Sequence, residues 1–320
     1  MTIHLFNYCP INLYEDKMKQ SGITLDTYIE KLGLDGIEQF VYETKALSKP
    51  YIKQTVGVHL RYWPYWMDFW LKKTKEIKRH FPSAKQRAEY YGQAMNREEW
   101  LSVIRWNICN ALQANPEYLV WHVAEANNKE IFTYQFNYSD REVLCAASDV
   151  FNAVADEIPD NVTVLFENLW WPGLRLTDAR NVKYFFNRIE RKNVGIMLDT
   201  GHLMNTNINL NSENDAAEYV CNVIDRLGNQ AELIKGVHLN CSLSEQYQKS
   251  FTRIVPRKCD NQRIWQHVTS IDQHKPFSTK AAQKILACIE PRYIVHELSY
   301  TDLDDMYIKV SQQMQDRKSV

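Results

Sequence analysis

The sequence lacks the features of several protein classes. None of its seven cysteines forms a CxxC pair, and the count is odd, which is typical of reduced thiols. With 10 Gly and 10 Pro in 320 residues, a collagen-like or low-complexity chain is excluded. No apolar run approaches the roughly 18 residues that a membrane span requires. We therefore expect a cytoplasmic protein whose cysteines are reduced and mostly buried.

The sequence also has no marked excess of acidic or basic residues. The chain has 38 basic and 39 acidic residues, so its net charge is -1, and 45% of its residues are hydrophobic. High apolar content with little net charge excludes disorder as the main state. The balance gives no global sign of a nucleic-acid-binding protein, although a local basic patch can serve that purpose.

Short β-branched and apolar runs recur along the whole chain and predict eight strands. Segments with helical spacing lie between most of them, as at 140–156, 178–191 and 214–227. Strands that alternate with helices predict a (β/α)₈ TIM barrel, with a doubly wound open sheet as the alternative. The predicted strands are 3–8, 36–42, 54–61, 118–123, 162–167, 195–200, 234–240 and 292–298.

Two connections are too long for a minimal barrel. They span residues 62–115, after the third strand, and 241–273, after the seventh. Long excursions in a barrel usually carry function or cover the site. Because no flexible linker divides the chain, we predict one domain over 1–320, with both excursions near the active-site face.

Histidine, aspartate or glutamate stands at the C-terminal end of six consecutive predicted strands. These strand ends converge on the catalytic face of a barrel. Converging carboxylates repel one another without a cation, and imidazole with carboxylate is the ligand set of zinc, manganese or iron. The sequence therefore predicts a metal site. The residues are His59, His122, Glu167, Asp199 with His202, His238 and Glu297.

A second acid–histidine pair, Asp272 and His274, lies at the end of the long second excursion. In an extended segment, residues i and i+2 point to the same side, so both side chains can bind one cation. Taken alone, the pair is more typical of an exposed loop.

These residues resemble the xylose-isomerase-like barrel superfamily and, within it, the endonuclease IV family (apurinic/apyrimidinic endonuclease family 2). The resemblance covers the whole chain as an ordered series of strand ends. Residues 198–202 read LDTGH and residues 238–240 read HLN, and both strings are fairly specific to the superfamily. The pair Glu167–Asn168 and the DQH string at 272–274 match two further motifs of the endonuclease IV family, and DQH is specific only through its placement.

The resemblance implies a site with up to three divalent ions, zinc foremost, with manganese or iron as alternatives. His59, His122 and Glu167 would hold the first ion. Glu167 would bridge to a second, which Asp199, His238 and Glu297 complete. His202, Asp272 and His274 would hold the third. Glu167 and Glu297 are predicted to be catalytic, and the implied reaction is hydrolysis of a DNA phosphodiester.

The first excursion is peculiar to this chain. Trp63, Trp66 and Trp70 precede a run of basic residues. Aromatic and basic side chains together suit nucleic-acid binding, but a core-packed helix with a solvated basic face fits the pattern slightly better. Trp171, just after Glu167, is positioned to narrow a pocket. The predicted substrate-binding residues are Trp63, Trp66 and Trp171.

Other functions stay open at this point. Many sugar isomerases of the superfamily need only the one-metal set of Glu167, Asp199, His238 and Glu297. The near-neutral charge and the absence of recognisable DNA-binding loops favour such an isomerase or epimerase acting on a small sugar. An iron-loaded oxidative enzyme and a barrel that only binds a ligand are further alternatives. No membrane or protein partner is implied.

Overall fold

Eight parallel strands form a closed barrel in chain order, with the last strand paired to the first. The prediction of a (β/α)₈ barrel is confirmed. The computed structural model describes residues 1–9, 12–41 and 51–315. Tyr42, the last residue of the predicted second strand, lies outside these ranges.

All eight predicted strands occur, each within two residues of the expected start. They are β1 Ile3–Tyr8, β2 Gly36–Phe40, β3 Thr55–His59, β4 Tyr118–His122, β5 Thr163–Glu167, β6 Val194–Asp199, β7 Ile234–His238 and β8 Tyr293–His296.

The helices lie outside the barrel and at its ends. They are α1 Asn12–Ser21, α2 Leu25–Leu32, α3 Met67–Trp70, α4 Thr74–His80, α5 Ala84–Tyr90, α6 Arg97–Leu112, α7 Glu130–Thr133, α8 Asp140–Asn152, α9 Ala179–Phe186, α10 Thr200–Met204, α11 Glu213–Leu227, α12 Glu245–Ser250, α13 Asn261–Ile271, α14 Ala281–Ile289 and α15 Leu303–Gln315. None of the helices in the described ranges combines the length and apolar character needed to cross a membrane.

The core has two layers. Inside the barrel, one apolar cluster is almost fully buried. It includes Leu5, Tyr118, Leu165, Met197 and Val295. A larger apolar layer lies between the strands and the surrounding helices. Because strand side chains alternate between these layers, the polar residues at the strand ends are left at the C-terminal mouth.

The first excursion folds as three short helices, α3 to α5, ahead of the barrel helix α6. The expectation of one amphipathic helix is wrong, since three short helices form and Trp63 and Trp66 lie before the first of them. Both rings are buried, and their indole N–H groups donate to the carbonyl oxygens of Tyr90 and Ala124 at 2.9 Å. The basic residues lie on the solvent side, and Arg79 pairs with Glu76 of its own helix.

The second excursion returns to the barrel mouth through a short antiparallel contact. The N–H of Cys241 donates to the carbonyl oxygen of Lys275 at 2.7 Å, and that of Lys275 donates to Cys241 at 3.0 Å. Helices α12 and α13 occupy the loop that this contact closes. The contact fixes residues 272–274 beside the end of β7.

One expectation about the cysteines is wrong. Cys221 on α11 and Cys288 on α14 form a disulfide with 5.9 Å between their Cα atoms. The two helices pack side by side, which brings together cysteines that are 67 residues apart. The other cysteines are free thiols, but only Cys241 among them is buried.

Candidate metal centre

Nine acidic and histidine side chains converge at the C-terminal mouth of the barrel, and two of the three groups that the resemblance implied form as expected. The first joins His59 from β3, His122 from β4 and Glu167 from β5. The Nε2 atoms of His59 and His122 lie 3.1 and 3.3 Å from Glu167 Oε2. All three ligand atoms therefore face one point.

The second group contains Glu167, Asp199, His238 and Glu297. His238 Nδ1 lies 2.8 Å from Glu297 Oε2, 3.3 Å from Glu167 Oε1 and 4.0 Å from Asp199 Oδ2. Glu167 thus turns Oε2 toward the first group and Oε1 toward the second. This is the geometry of a bridging carboxylate.

The third group differs in one residue from the implied set: ligand atoms of Asp199, His202 and His274 lie within 4.8 Å of one another, and Asp272 contacts both histidines. Its Oδ2 atom lies 3.1 Å from His202 Nε2 and 2.9 Å from His274 Nε2. The prediction that Asp272 and His274 share the surroundings of His202 is confirmed. The expected extended backbone is wrong, because His274 adopts a left-handed conformation with φ of 46°. A turn brings the two side chains together.

Most of the imidazoles hold one ring nitrogen in a fixed contact and turn the other toward the carboxylates. A hydrogen on Nδ1 is directed at a backbone carbonyl oxygen in three of them, which leaves Nε2 free as a metal ligand. These contacts are His59 to Leu60 at 3.0 Å, His202 to Asn168 at 2.9 Å and His274 to Glu297 at 3.0 Å.

Glu167 Oε1, His238 Nδ1 and Glu297 Oε2 approach one another to 2.8–3.3 Å, yet none of them makes a hydrogen bond of good geometry among the described residues. Buried polar atoms are nearly always hydrogen-bonded, so atoms that converge without that alignment fit donors that share a cation. Oxygen and imidazole nitrogen donors fit a divalent cation such as zinc, manganese or iron.

Without a cation, the charges of this centre compensate one another. Burial lowers the pKa of His274, but the adjacent Asp272 outweighs it and raises the pKa to about 10. Burial raises the pKa of Asp199 to about 7 despite the neighbouring His202. Because the raised pKa of His274 keeps a proton on its ring, metal binding there must displace that proton, whereas burial lowers the pKa of His122 to about 3 and leaves that ring neutral.

Backbone and amide groups orient Asp199. Its Oδ2 accepts a hydrogen bond from Asn240 Nδ2 at 2.8 Å, and its Oδ1 accepts one from the N–H of His202 at 2.6 Å. A Cβ atom on Gly201 would come within 1.9 Å of Asn240 Oδ1. Glycine in the LDTGH string therefore allows Asn240 to reach Asp199.

Glu38 on β2 belongs to the site but was not anticipated from the sequence. Its carboxylate is fully buried, with Oε1 at 3.0 Å and Oε2 at 3.2 Å from His238 Nε2. The hydroxyl of Tyr118 donates to Oε2 at 2.8 Å. Since Glu38 holds Nε2, His238 is left with Nδ1 for a metal. The available signal was a glutamate in the middle of a predicted strand.

We expect Glu38→Gln to weaken metal binding by about tenfold while the protein stays folded, because carboxylate partners of ligating histidines typically contribute that much. Tyr118→Phe, which removes only the contact to Oε2, is the matched control and should lose less. Metal dissociation constants from competition with a chelator measure both. Unchanged affinity in Glu38→Gln would contradict the positioning role.

A cavity of 630 Å³ opens above the metal centre. Its walls include the metal-site residues His59, His122, His202, Asp272, His274 and Glu297, together with Phe40, Tyr62, Trp265 and Tyr300.

The predicted substrate-binding residues Trp63, Trp66 and Trp171 do not line this cavity. All three are buried, with exposures of 7%, 7% and 5%. Trp171 packs against Trp170 in an apolar cluster behind the site. Trp63 and Trp66 line a separate pocket that they share with Tyr62 and His122, so a contact of the three rings with a substrate stays a prediction.

A sequence model of the xylose isomerase-like TIM barrel family matches residues 108–285, more than half of the chain. Comparison with curated protein sequences finds no match.

Solved structures with the same fold include enzymes of different activities. Endonuclease IV from Thermus thermophilus superposes with a TM-score of 0.52 at 12% identity, over 99% of this chain and 100% of its own. The 3-keto-D-glucoside 4-epimerase from E. coli gives 0.54 at 12%, over 99% and 100%. D-psicose 3-epimerase gives 0.54 at 13%, over 99% and 98%. At such identities the likeness establishes the fold alone.

Proposed function

This chain belongs to the xylose isomerase-like TIM barrel family, and we propose that it is a phosphodiester hydrolase with three divalent metal ions, of the endonuclease IV type. The observation that carries the proposal is the third group. Asp272 Oδ2 lies within 3.1 Å of both His202 Nε2 and His274 Nε2, on a segment held in place by the Cys241–Lys275 contact. A one-metal sugar isomerase has no chemical need for these ligands.

Charge balance supports three ions over one. With Glu38, the site contains five carboxylates, whose charges amount to −5 when all five are ionised and the histidines are neutral ligands. Three divalent ions give a net charge of +1, which attracts a phosphodiester anion. A single divalent ion leaves −3, or −1 when His202 and His274 keep their protons, so the site then offers no net positive charge to a phosphate. The carboxylates are Glu38, Glu167, Asp199, Asp272 and Glu297.

Bound ions of this kind lower the pKa of a water molecule and neutralise charge on a phosphate. The protein supplies the geometry. Glu167 divides its two oxygens between the first and second groups. Glu38 and Asn240 fix His238 and Asp199, so the ligands are held in position before a substrate arrives. In this scheme the catalytic role assigned to Glu167 and Glu297 is to hold the reacting water and phosphate in line.

A sugar epimerase is the second candidate. None of the described residues that line the cavity is lysine or arginine, so the wall has no such side chain to bind the phosphates of a long nucleic acid. Aromatic side chains on the same wall suit a sugar ring. Two of the structural relatives carry epimerase names.

Metal analysis of protein purified without chelator tests the proposal. We expect about three equivalents of divalent metal per chain and metal-dependent cleavage of bis(p-nitrophenyl) phosphate or of a duplex containing one abasic site. One equivalent, no cleavage, and conversion of D-psicose to D-fructose would instead establish the epimerase.

A further inference from the structure

Trp265 is an exposed tryptophan at the rim of the metal cavity. Its side chain is 68% exposed, and it lines the same wall as Asp272 and His274. Single apolar residues on a protein surface need no explanation in general. This one lines the same cavity as the candidate metal ligands.

The helix that carries it, α13, has one anchored face. Ile264, Val268 and Ile271 join an apolar cluster, and the His267 ring stacks on Phe132 at 4.3 Å. His267 also bonds at both nitrogens, to the Tyr247 hydroxyl at 2.8 Å and to the Ile131 carbonyl oxygen at 2.8 Å. The helix is therefore a fixed support.

A neighbouring face of the helix points at the cavity. Trp265 and Thr269 lie at i and i+4 on this face, Asp272 follows the last residue of the helix, and all three line the cavity. Seven residues at 1.5 Å each separate Trp265 from Asp272 by about 10 Å along the axis. A ligand that contacts both residues must span this distance. A phosphate at the metal centre, joined through a few bonds to a ring at Trp265, has the required length.

The other residues of the cavity wall indicate which class of ligand fits. Phe40, Tyr62 and Tyr300 add aromatic surface, and the Tyr62 ring stacks on His122 at 4.5 Å. A cavity of 630 Å³ has the size of a small-molecule site. Since the described lining residues include no lysine or arginine, the metal centre is the only source of positive charge in this wall.

We propose that Trp265 stacks on the aromatic base of a nucleoside phosphoester whose phosphate binds at the metal centre. The inference rests on the proposed function and narrows its substrate to a small nucleotide. Stacking between a base and an aromatic side chain is tolerant of sequence, so the four bases should be accepted alike.

Calorimetric titration of the zinc-loaded protein tests this with three probes: thymidine 5′-monophosphate, glucose 6-phosphate and inorganic phosphate. We expect the nucleotide to bind about tenfold more tightly than either other probe. Trp265→Ala should remove that gain and leave inorganic phosphate unchanged, while Trp265→Phe keeps most of it. Trp106→Ala is the matched control, because Trp106 is 39% exposed on α6 and does not line the cavity.

The outcomes separate the two proposals. If inorganic phosphate binds and the nucleotide binds no more tightly, the stacking role is overturned and the hydrolase proposal stands. The same holds if Trp265→Ala still binds the nucleotide more tightly than phosphate. If glucose 6-phosphate gains as much as the nucleotide, the ring is a sugar and the assignment to a base is overturned. If none of the three probes binds the zinc-loaded protein, the proposed function fails, and the inference fails with it.

Discussion

Glu167→Gln should lose two of the three metal ions and reduce kcat/KM for a phosphodiester by about 10³-fold or more, which corresponds to ~4 kcal/mol of transition-state stabilisation. The reason is the position of its carboxylate, with Oε2 at 3.1 Å from His59 and Oε1 at 3.3 Å from His238. A neutral amide offers one oxygen and no charge to two cations. The third group contains no Glu167, so about one equivalent should remain.

Metal content by mass spectrometry and initial rates measure this result. Glutamine has nearly the same volume, so circular dichroism and the melting temperature should show a folded protein. Glu157→Gln is the control, because Glu157 pairs with Arg105 and lies outside the cavity lining. Three equivalents in the Glu167 variant would refute the bridging geometry.

The fold and most residues of the candidate metal centre were predictable from the sequence, because both depend on short-range patterns. Apolar β-branched runs predicted every strand, and a strand end fixes where its last polar residue points. His59, His122, Glu167, Asp199, His238 and Glu297 each terminate a strand or follow it directly. Once the barrel closes, their convergence follows from its geometry.

Features that depend on packing between distant segments were missed or wrong. Glu38 stands in mid-strand, and only the closure of the barrel brings its carboxylate near His238. For Trp63 and Trp66, the aromatic pattern does not reveal which backbone carbonyl groups accept the indole N–H groups. The position of Trp265 in the cavity wall was not predicted, because the local sequence does not distinguish an exposed tryptophan at a cavity rim from one in the core. The Cys221–Cys288 disulfide depends on how two helices pack.

The third ion can be removed separately from the first two. Asp272→Asn should lower metal content from three equivalents to two, because Asp272 Oδ2 lies within 3.1 Å of both His202 Nε2 and His274 Nε2 and supplies the charge that this group needs. Asparagine keeps the size and the polar contacts that Oδ1 makes with Asn205 at 3.4 Å and Ser242 at 3.5 Å. The local backbone should therefore persist.

The kinetic consequence distinguishes the two enzyme classes. If a phosphate is held by three ions, losing one should reduce the rate of phosphodiester cleavage by about a hundredfold, or ~2.7 kcal/mol. A one-metal epimerase would keep its rate, because Glu167, Asp199, His238 and Glu297 are untouched. Asp260→Asn serves as the control, since Asp260 caps the N-terminus of the same helix, α13, and asparagine caps equally well. Full cleavage activity in Asp272→Asn would show that the third group holds no catalytic ion and would leave two metals as the working centre.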